Sequence, residues 1–501
     1  TIDARESVND LEKVEGINDE LIEQTPLIKK FFNEDLYRFV IATKGFGKSL
    51  LLLTKRKKLG SMHFIPEHEP LDVPSVRIDT LTKDSLSLLK NEYAFSLIWS
   101  LSITIAVIKR LNEITDMEKQ NASASLKDIL NNPRCNTISN IFNFIIAEMN
   151  RRQFFEDLVS DYNKTLLPII RSIKTPVAVF IDNVDECFES YRGVWYTAQN
   201  SLIKTIYDLY RTNSKLKVFA SIRKEAFKRL ETEMLMQYRG VSLDLSYSKD
   251  ELKDIFIKNI MKDNLNNLMK QQTIKTDPMV AFIGTNKVHH GIVDDEEDTF
   301  DYIFRHTLQR PRDLMEIGGN ISRCKPSVRN SATKEGLETF KSLVNLAATT
   351  IATQYIGEVL PHLTIKREDL DKIFSLIDSN TLEETKLKKI CMEFNGDNAG
   401  CTRKNCKECT DKIHIFCELY KIGLLGYVDV IPTGKQKYIQ KFMPVGEKTF
   451  HEVRLLPDST HYLIHPILDE LIRQKSKKYK HQIDDINIIG YDRVWKSTKE
   501  I

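Results

Sequence analysis

Phe39-Val40-Ile41 leads directly into Ala42-Thr43-Lys44-Gly45-Phe46-Gly47-Lys48-Ser49, and that loop runs on into Leu50-Leu51-Leu52-Leu53. An apolar run, two glycines one residue apart and a Lys-Ser pair opening an apolar helix leave few folds open. This is the strand-loop-helix setting of a phosphate-binding loop. The glycines let the backbone curl so that its N–H groups face a polyphosphate, and the helix N-terminus adds a favourable dipole. Lys48 and Ser49 are expected to reach phosphate oxygens and Mg²⁺. The expected nucleotide contacts are Thr43, Lys44, Gly45, Phe46, Gly47, Lys48, Ser49 and Leu50. Ala42 stands at the first position of the G-x-x-x-x-G-K-[ST] pattern, where many working loops accept alanine. A chance Gly-Lys-Ser turn is the competing reading, and the flanking strand and helix weigh against it.

A second signal lies far along the chain. Val177-Ala178-Val179-Phe180-Ile181 is an uninterrupted apolar run of the kind that forms a fully buried parallel strand. It ends in Asp182-Asn183-Val184-Asp185-Glu186. A carboxylate at the carboxyl edge of a central strand sits where open α/β sheets bind ligands, so Asp182 is expected to hold the Mg²⁺ shared with Ser49. Glu186, and after it Asp185, are placed to orient or activate a water against a γ-phosphate. For Asp185 alone, capping of the next helix is an equal reading.

Two arginine positions complete the set. Leu216-Lys217-Val218-Phe219-Ala220-Ser221-Ile222-Arg223 reads as a strand beside the acidic one, and Arg223 at its end is placed to sense a γ-phosphate. A surface arginine is the alternative. Leu308-Gln309-Arg310-Pro311-Arg312-Asp313-Leu314 opens a helix with proline in its first turn, from which Arg312, and behind it Arg310, would extend onto bound phosphates. The alternative is a solvated basic helix start.

With 501 residues, 41% of them hydrophobic, the chain can bury more than one core. The longest apolar stretch, Tyr93 to Val107, carries Ser96, Ser100, Ser102 and Thr104 and is short for a membrane span, so a long buried helix over Tyr93–Leu111 is expected. No membrane association and a cytoplasmic location are expected, with no signal peptide evident; the chain opens on Thr1, so its native start is expected upstream. Net charge is +3, from 73 basic and 70 acidic residues, and argues neither for nor against nucleic acid. Ser75–Ile78 and Gly240–Leu245 read as further strands, Phe154–Ile173 as a helix, and residues 115–150 as an insertion, polar at first and helical from about Ile138.

Together these residues resemble a family. Ile181-Asp182-Asn183-Val184-Asp185-Glu186 is similar to the Walker B signature of NACHT-type STAND ATPases, in the wider AAA+ class, with Asn183 in place of the small residue commonest there. Ser221-Ile222-Arg223 is similar to their sensor 1 turn, and Arg310-Pro311-Arg312 to the start of their helical lid. The resemblance covers roughly residues 25–325, more weakly to 475. It implies a molecular switch: ADP holds a closed state, a trigger admits ATP, and a homo-oligomer assembles, often in bacterial antiviral defence. A separate effector protein, or an effector segment that has been removed, is expected, because no nuclease, protease, deaminase or TIR-like signature stands outside the ATPase.

The C-terminal third adds two constellations. Cys391, Cys401, Cys406 and Cys409, four of eight cysteines, fall within nineteen residues in the spacing C-x9-C-x4-C-x2-C. A structural tetrahedral Zn²⁺ is the expected ligand, with His414 and Cys417 in reserve and disulfides as the alternative. Cys135, Cys187 and Cys324 read as ordinary buried thiols. From about Asp411 to Gln474, a helix ending at Gly423, hairpin strands Leu424–Val430 and Lys437–Phe442, and a helix that Tyr462–Asp469 starts suggest a winged-helix domain. Tyr462-Leu463-Ile464-His465-Pro466 resembles the Met-His-Asp segment of STAND winged helices, which implies contact between His465 and the β-phosphate of ADP. A locally packed histidine is the alternative.

The expected fold class is an α/β P-loop NTPase, a parallel sheet flanked by helices, followed by a helical lid and a winged-helix domain with a zinc-binding insertion. Its parts are an N-terminal helical segment (1–26), the ATPase core (27–250), the lid (251–330), a helical domain (331–390), the zinc loop (391–410), the winged helix (411–475) and a basic tail (476–501). ATP or ADP, Mg²⁺ and Zn²⁺ are the expected cofactors. A second function remains open: a DNA-binding, initiator-like AAA+ ATPase, whose basic runs Lys55–Lys58 and Arg473–Lys480 would contact phosphates.

Overall fold

A computed structural model describes residues 25–60, 62–67, 82–188, 192–230, 232–267, 277–290, 295–324, 333–395, 415–431, 437–447, 456–477 and 488–495. The chain divides into two units, Ile2–Ser246 and Tyr247–Ile501.

The first unit is built on a five-stranded sheet, all parallel: β1 (Phe39–Ala42), β2 (His63–Ile65), β3 (Val177–Ile181), β4 (Leu216–Arg223) and β5 (Ser242–Asp244), in the order β2-β3-β4-β1-β5. Every residue of β1 and β3 is buried, as continuous apolar runs require in a sheet covered on both faces. The chain leaves β1 toward the β2 edge and leaves β4 toward the β5 edge, so two neighbouring strands send their connections in opposite directions. Open parallel sheets bind ligands beyond the carboxyl ends of such a pair.

The apolar helix is Glu92–Leu111. Among the described residues it is the one helix long and apolar enough to cross a membrane, and it is mostly buried. Its Trp99 ring stacks on Phe142 at 4.2 Å and donates from Nε1 to the Ala198 carbonyl at 3.0 Å. Ser201 and Thr205 of the helix Arg192–Thr212 donate to the carbonyls of Glu92 and Ser96. Its apolarity is that of a core helix with its polar side chains satisfied.

Three differences from the sequence expectation arise here. The insertion is helical before Ile138: Thr115, with Glu118, forms a capping box for Asp116–Asn121, and Ser123 caps Ala124–Asn131. The helix expected over Phe154–Ile173 runs from Arg152 to Ser172 but passes through a π turn, Tyr162–Leu166. Pro168 follows it, lacking an N–H and crowding the carbonyl four residues back, and the wider turn accommodates that. The three-residue edge strand β2, too short to carry a pattern, was not foreseen; the strand expected at Ser75–Ile78 lies outside the described residues.

In the second unit, β6 (Lys287–His290) and β7 (Asp295–Asp298) form a hairpin, followed by helices Thr299–Arg305, Pro311–Arg323 and Lys334–Val359. A four-stranded antiparallel sheet follows, β8 (Thr381–Glu383), β9 (Leu425–Ile431), β10 (Lys437–Phe442) and β11 (His461–Ile464), in the order β10-β9-β11-β8. The β9-β10 hairpin and the helix Ile415–Lys421 match the expectation. That helix stops at Gly423, whose φ is 79° and where a Cβ would stand 2.6 Å from the Met443 carbonyl oxygen.

The segment Tyr462–Ile464 is a strand and not a helix start. It fills the slot between β9 and β8 with three buried side chains, and helical turns begin only at Pro466, whose fixed φ suits a first turn. Residues 488–495, expected in a basic tail, run along β10: the Gln440 N–H donates to the Arg493 carbonyl, the Trp495 N–H donates to the Tyr438 carbonyl, and Ile489 is buried against Val428 and Leu463. Cys391 lies in the helix Glu384–Asn395. Cys401, Cys406, Cys409 and His414 lie outside the described residues, among which no group of three or more His, Cys, Asp or Glu is arranged to hold a metal.

Candidate nucleotide-binding site

The loop between β1 and the helix Lys48–Lys58 is shaped by two left-handed glycines. Gly45 and Gly47 both have φ of 90°, and Gly47 occupies the N-cap of the helix. A side chain there would strain the backbone whatever the space around it. Lys48 is buried and its Nζ folds back to donate to the loop's own carbonyls, Ala42 O at 3.2 Å and Thr43 O at 3.1 Å. Thr43 is also buried, and its Oγ1 has no hydrogen-bond partner among the described residues. A buried hydroxyl, a buried ammonium and a helix N-terminus make a donor set that fits a phosphate group. Ser49, half-buried, is the second residue of that helix.

Asp182 follows β3 directly and is buried. Ser221 of β4 donates its hydroxyl to Asp182 Oδ1, and the backbone N–H of Asn183 donates to Ser221 Oγ at 3.3 Å. Asn183 is left-handed, with φ 53°, a conformation asparagine tolerates better than most residues. It turns the chain into the short helix Val184–Cys187, which carries Glu186. Lys44 Nζ lies 3.6 Å from Glu186 Oε1, joining the glycine loop to the acidic turn. The side chain of Asp185 lies outside the described residues. The Ser49 hydroxyl and the Asp182 carboxylate are oxygen donors of the kind a hard cation such as Mg²⁺ takes.

Arg223 ends β4, and the register pairs it with Ala42, the residue that opens the loop. β4 therefore lies between the loop strand and the acidic strand, touching both. Far from being a surface arginine, Arg223 is 5% exposed. Its Nε and Nη2 donate to the two carboxylate oxygens of Glu225 at 3.2 and 3.4 Å, and its backbone N–H donates to Gln199 Oε1 at 2.9 Å. Gln199 and Glu225, and the bond from Ser221 to Asp182, are not part of the sequence expectation for this edge. Their signal was polarity inside otherwise buried surroundings, which becomes legible only once the strands are paired.

The remaining site candidates belong to the second unit. Arg310 is buried in a network with Asp313, at 2.8 Å, and Glu358, at 3.3 Å. Burial works against its charge, but Asp313 and then Glu358 outweigh it and hold the guanidinium above the ordinary arginine pKa. Arg312 donates to Glu358 at 3.3 Å and to Gln354 at 3.4 Å, so both arginines tie the helix Pro311–Arg323 to Lys334–Val359. His465 is wholly buried, with both ring nitrogens engaged. Ile467 N–H donates to Nδ1 at 3.3 Å, which leaves the proton on Nε2 to donate to Tyr491 Oη at 2.5 Å, while that hydroxyl donates to Thr307 O at 2.7 Å. Burial first, and His306 second, lower its pKa to about 3, so the ring is neutral.

The basic runs also find internal work. Lys55 is buried and donates to the carbonyls of Phe31, Phe32 and Glu34, closing the end of the helix Pro26–Asn33; Arg56 is buried and donates to Glu67 O. Arg473 pairs with Glu470 at 2.7 Å and Lys475 with Asp371 at 3.4 Å. Thus Lys55 and Arg56 are not part of a solvated basic face. No protein-family model and no curated protein matches the chain.

Proposed function

We propose that the chain binds and hydrolyses ATP and acts as a molecular switch whose nucleotide state controls assembly of a homo-oligomer. One observation carries this reading: a single sheet edge gathers the glycine-shaped loop with Lys48, the buried Asp182 two strands over, and Arg223, on the strand between, in register with the first loop residue. Lys48 would exchange two neutral carbonyl acceptors for anionic phosphate oxygens, and charge-assisted hydrogen bonds are roughly twice as strong. Ser49 and Asp182 would hold Mg²⁺. Glu186 would accept a proton from the attacking water, with Asp185 beside it in sequence.

The switch role, the separate effector and the setting in bacterial antiviral defence rest on the STAND resemblance. The antiparallel sheet with its hairpin supports reading the C-terminal part as a winged helix, and the four-cysteine spacing supports a zinc site beside it. No observation favours the initiator reading, since half of the Lys55–Lys58 run is buried in structural roles. Light scattering with ADP, a non-hydrolysable ATP analogue and duplex DNA tests the proposal. Growth of the particle only with the analogue supports a switch, and salt-sensitive growth with DNA alone supports the initiator.

A further inference from the structure

We propose that Glu225 sets the balance between diphosphate and triphosphate binding at this edge, by holding the guanidinium that would read a γ-phosphate. The inference rests on the reading of the edge as an ATP site. Arg223 and Glu225 are 5% and 3% exposed, and both carboxylate oxygens accept from the guanidinium. The pair is held on firm elements. Arg223 is in the last ladder position of β4 beside Ala42, its backbone N–H is fixed by the buried Gln199, and Glu225 stands two residues on, in the helix Lys224–Phe227.

A guanidinium carrying its own bound carboxylate presents little net charge to the loop. A third phosphate reaching it finds two of the guanidinium nitrogens already donating to Glu225 and meets the carboxylate's negative charge. A diphosphate, ending one phosphate short, meets neither penalty. Glu225 therefore disfavours the triphosphate selectively, and the edge is biased toward ADP. Glutamine at 225 keeps an amide oxygen to accept from Arg223 but removes the competing charge.

The test measures affinities for ADP and for a non-hydrolysable ATP analogue, both with Mg²⁺, in wild type, Glu225→Gln and the double variant Arg223→Met/Glu225→Gln. The ratio of the ADP Kd to the analogue Kd should rise roughly tenfold or more in Glu225→Gln, since hydrogen bonds to charged groups are among the stronger ones. In the double variant the rise should vanish, because the reader is gone. Should Glu225→Gln not fold, Glu225→Asp carries the test: the carboxylate withdraws by one methylene and the ratio should rise at least about threefold in the same direction. An unchanged ratio in the folded variant, or a rise that persists without Arg223, overturns the inference and leaves the nucleotide site standing. Absence of binding of either nucleotide to wild type overturns both.

Discussion

Lys44 and Glu186 form an ion pair of 3.6 Å that spans the glycine loop and the turn after β3. Both side chains are partly exposed, at 18% and 31%, so the pair contributes at most about 1 kcal/mol to folding. Such a contact is easily exchanged when a phosphate enters the loop. It also brings the carboxylate assigned to the water within reach of the residue next to Gly45, which no spacing rule required.

The first prediction concerns that carboxylate. Glu186→Gln should keep nucleotide affinity while turnover falls by roughly a hundredfold or more, because an amide cannot accept the proton of the attacking water. Steady-state phosphate release and equilibrium binding, measured on the same preparation, separate the two quantities. Unchanged turnover would remove Glu186 from the chemistry.

Acid stability should report on His465. Its folded pKa of about 3 lies below the 6.5 of an ordinary histidine, so between these values unfolding takes up a proton. The stabilisation is complete above pH 6.5 and is lost as pH falls toward 3. Replacement by glutamine, which can still donate to Tyr491 and accept from Ile467, should flatten the decline of unfolding free energy across that window. Denaturant titrations at pH 7, 5.5 and 4 measure it, and parallel profiles for both proteins would contradict the assignment.

The cysteine cluster yields a third expectation. Cys391, Cys401, Cys406 and Cys409 should hold about one zinc ion per chain in a closed four-thiolate site. Elemental analysis should find it, and Cys406→Ser should release it while loosening the C-terminal unit more than the first unit. Metal-free protein with an unaltered C-terminal unit would leave the thiols without this role.

Much of the sheet was legible in the sequence because buried parallel strands are written as unbroken apolar runs. Phe39–Ile41, Val177–Ile181 and Leu216–Arg223 all became strands, and Gly45 and Gly47 took the left-handed conformations their positions imply. Contacts set by pairing were not legible. Ser221 reaches Asp182 only because β3 and β4 are neighbours, and Glu225 matters because Arg223 turned out to be buried. Tyr462–Ile464 was misread because a three-residue apolar segment before a proline has no period of its own; its place between β9 and β8 made it a strand. Lys55 looked like part of a solvated basic run, yet the open carbonyls of Phe31, Phe32 and Glu34 drew it inside.

The central claim is that this edge binds ATP through Lys48, and titration calorimetry with ATP analogue and Mg²⁺ on wild type and Lys48→Ala tests it most directly. Loss of the ammonium removes a charge-assisted contact to the phosphates, so affinity should weaken by about several-fold to several hundred-fold, with the fold of the first unit retained. Equal affinity in the two proteins, or no binding by wild type, would contradict the account.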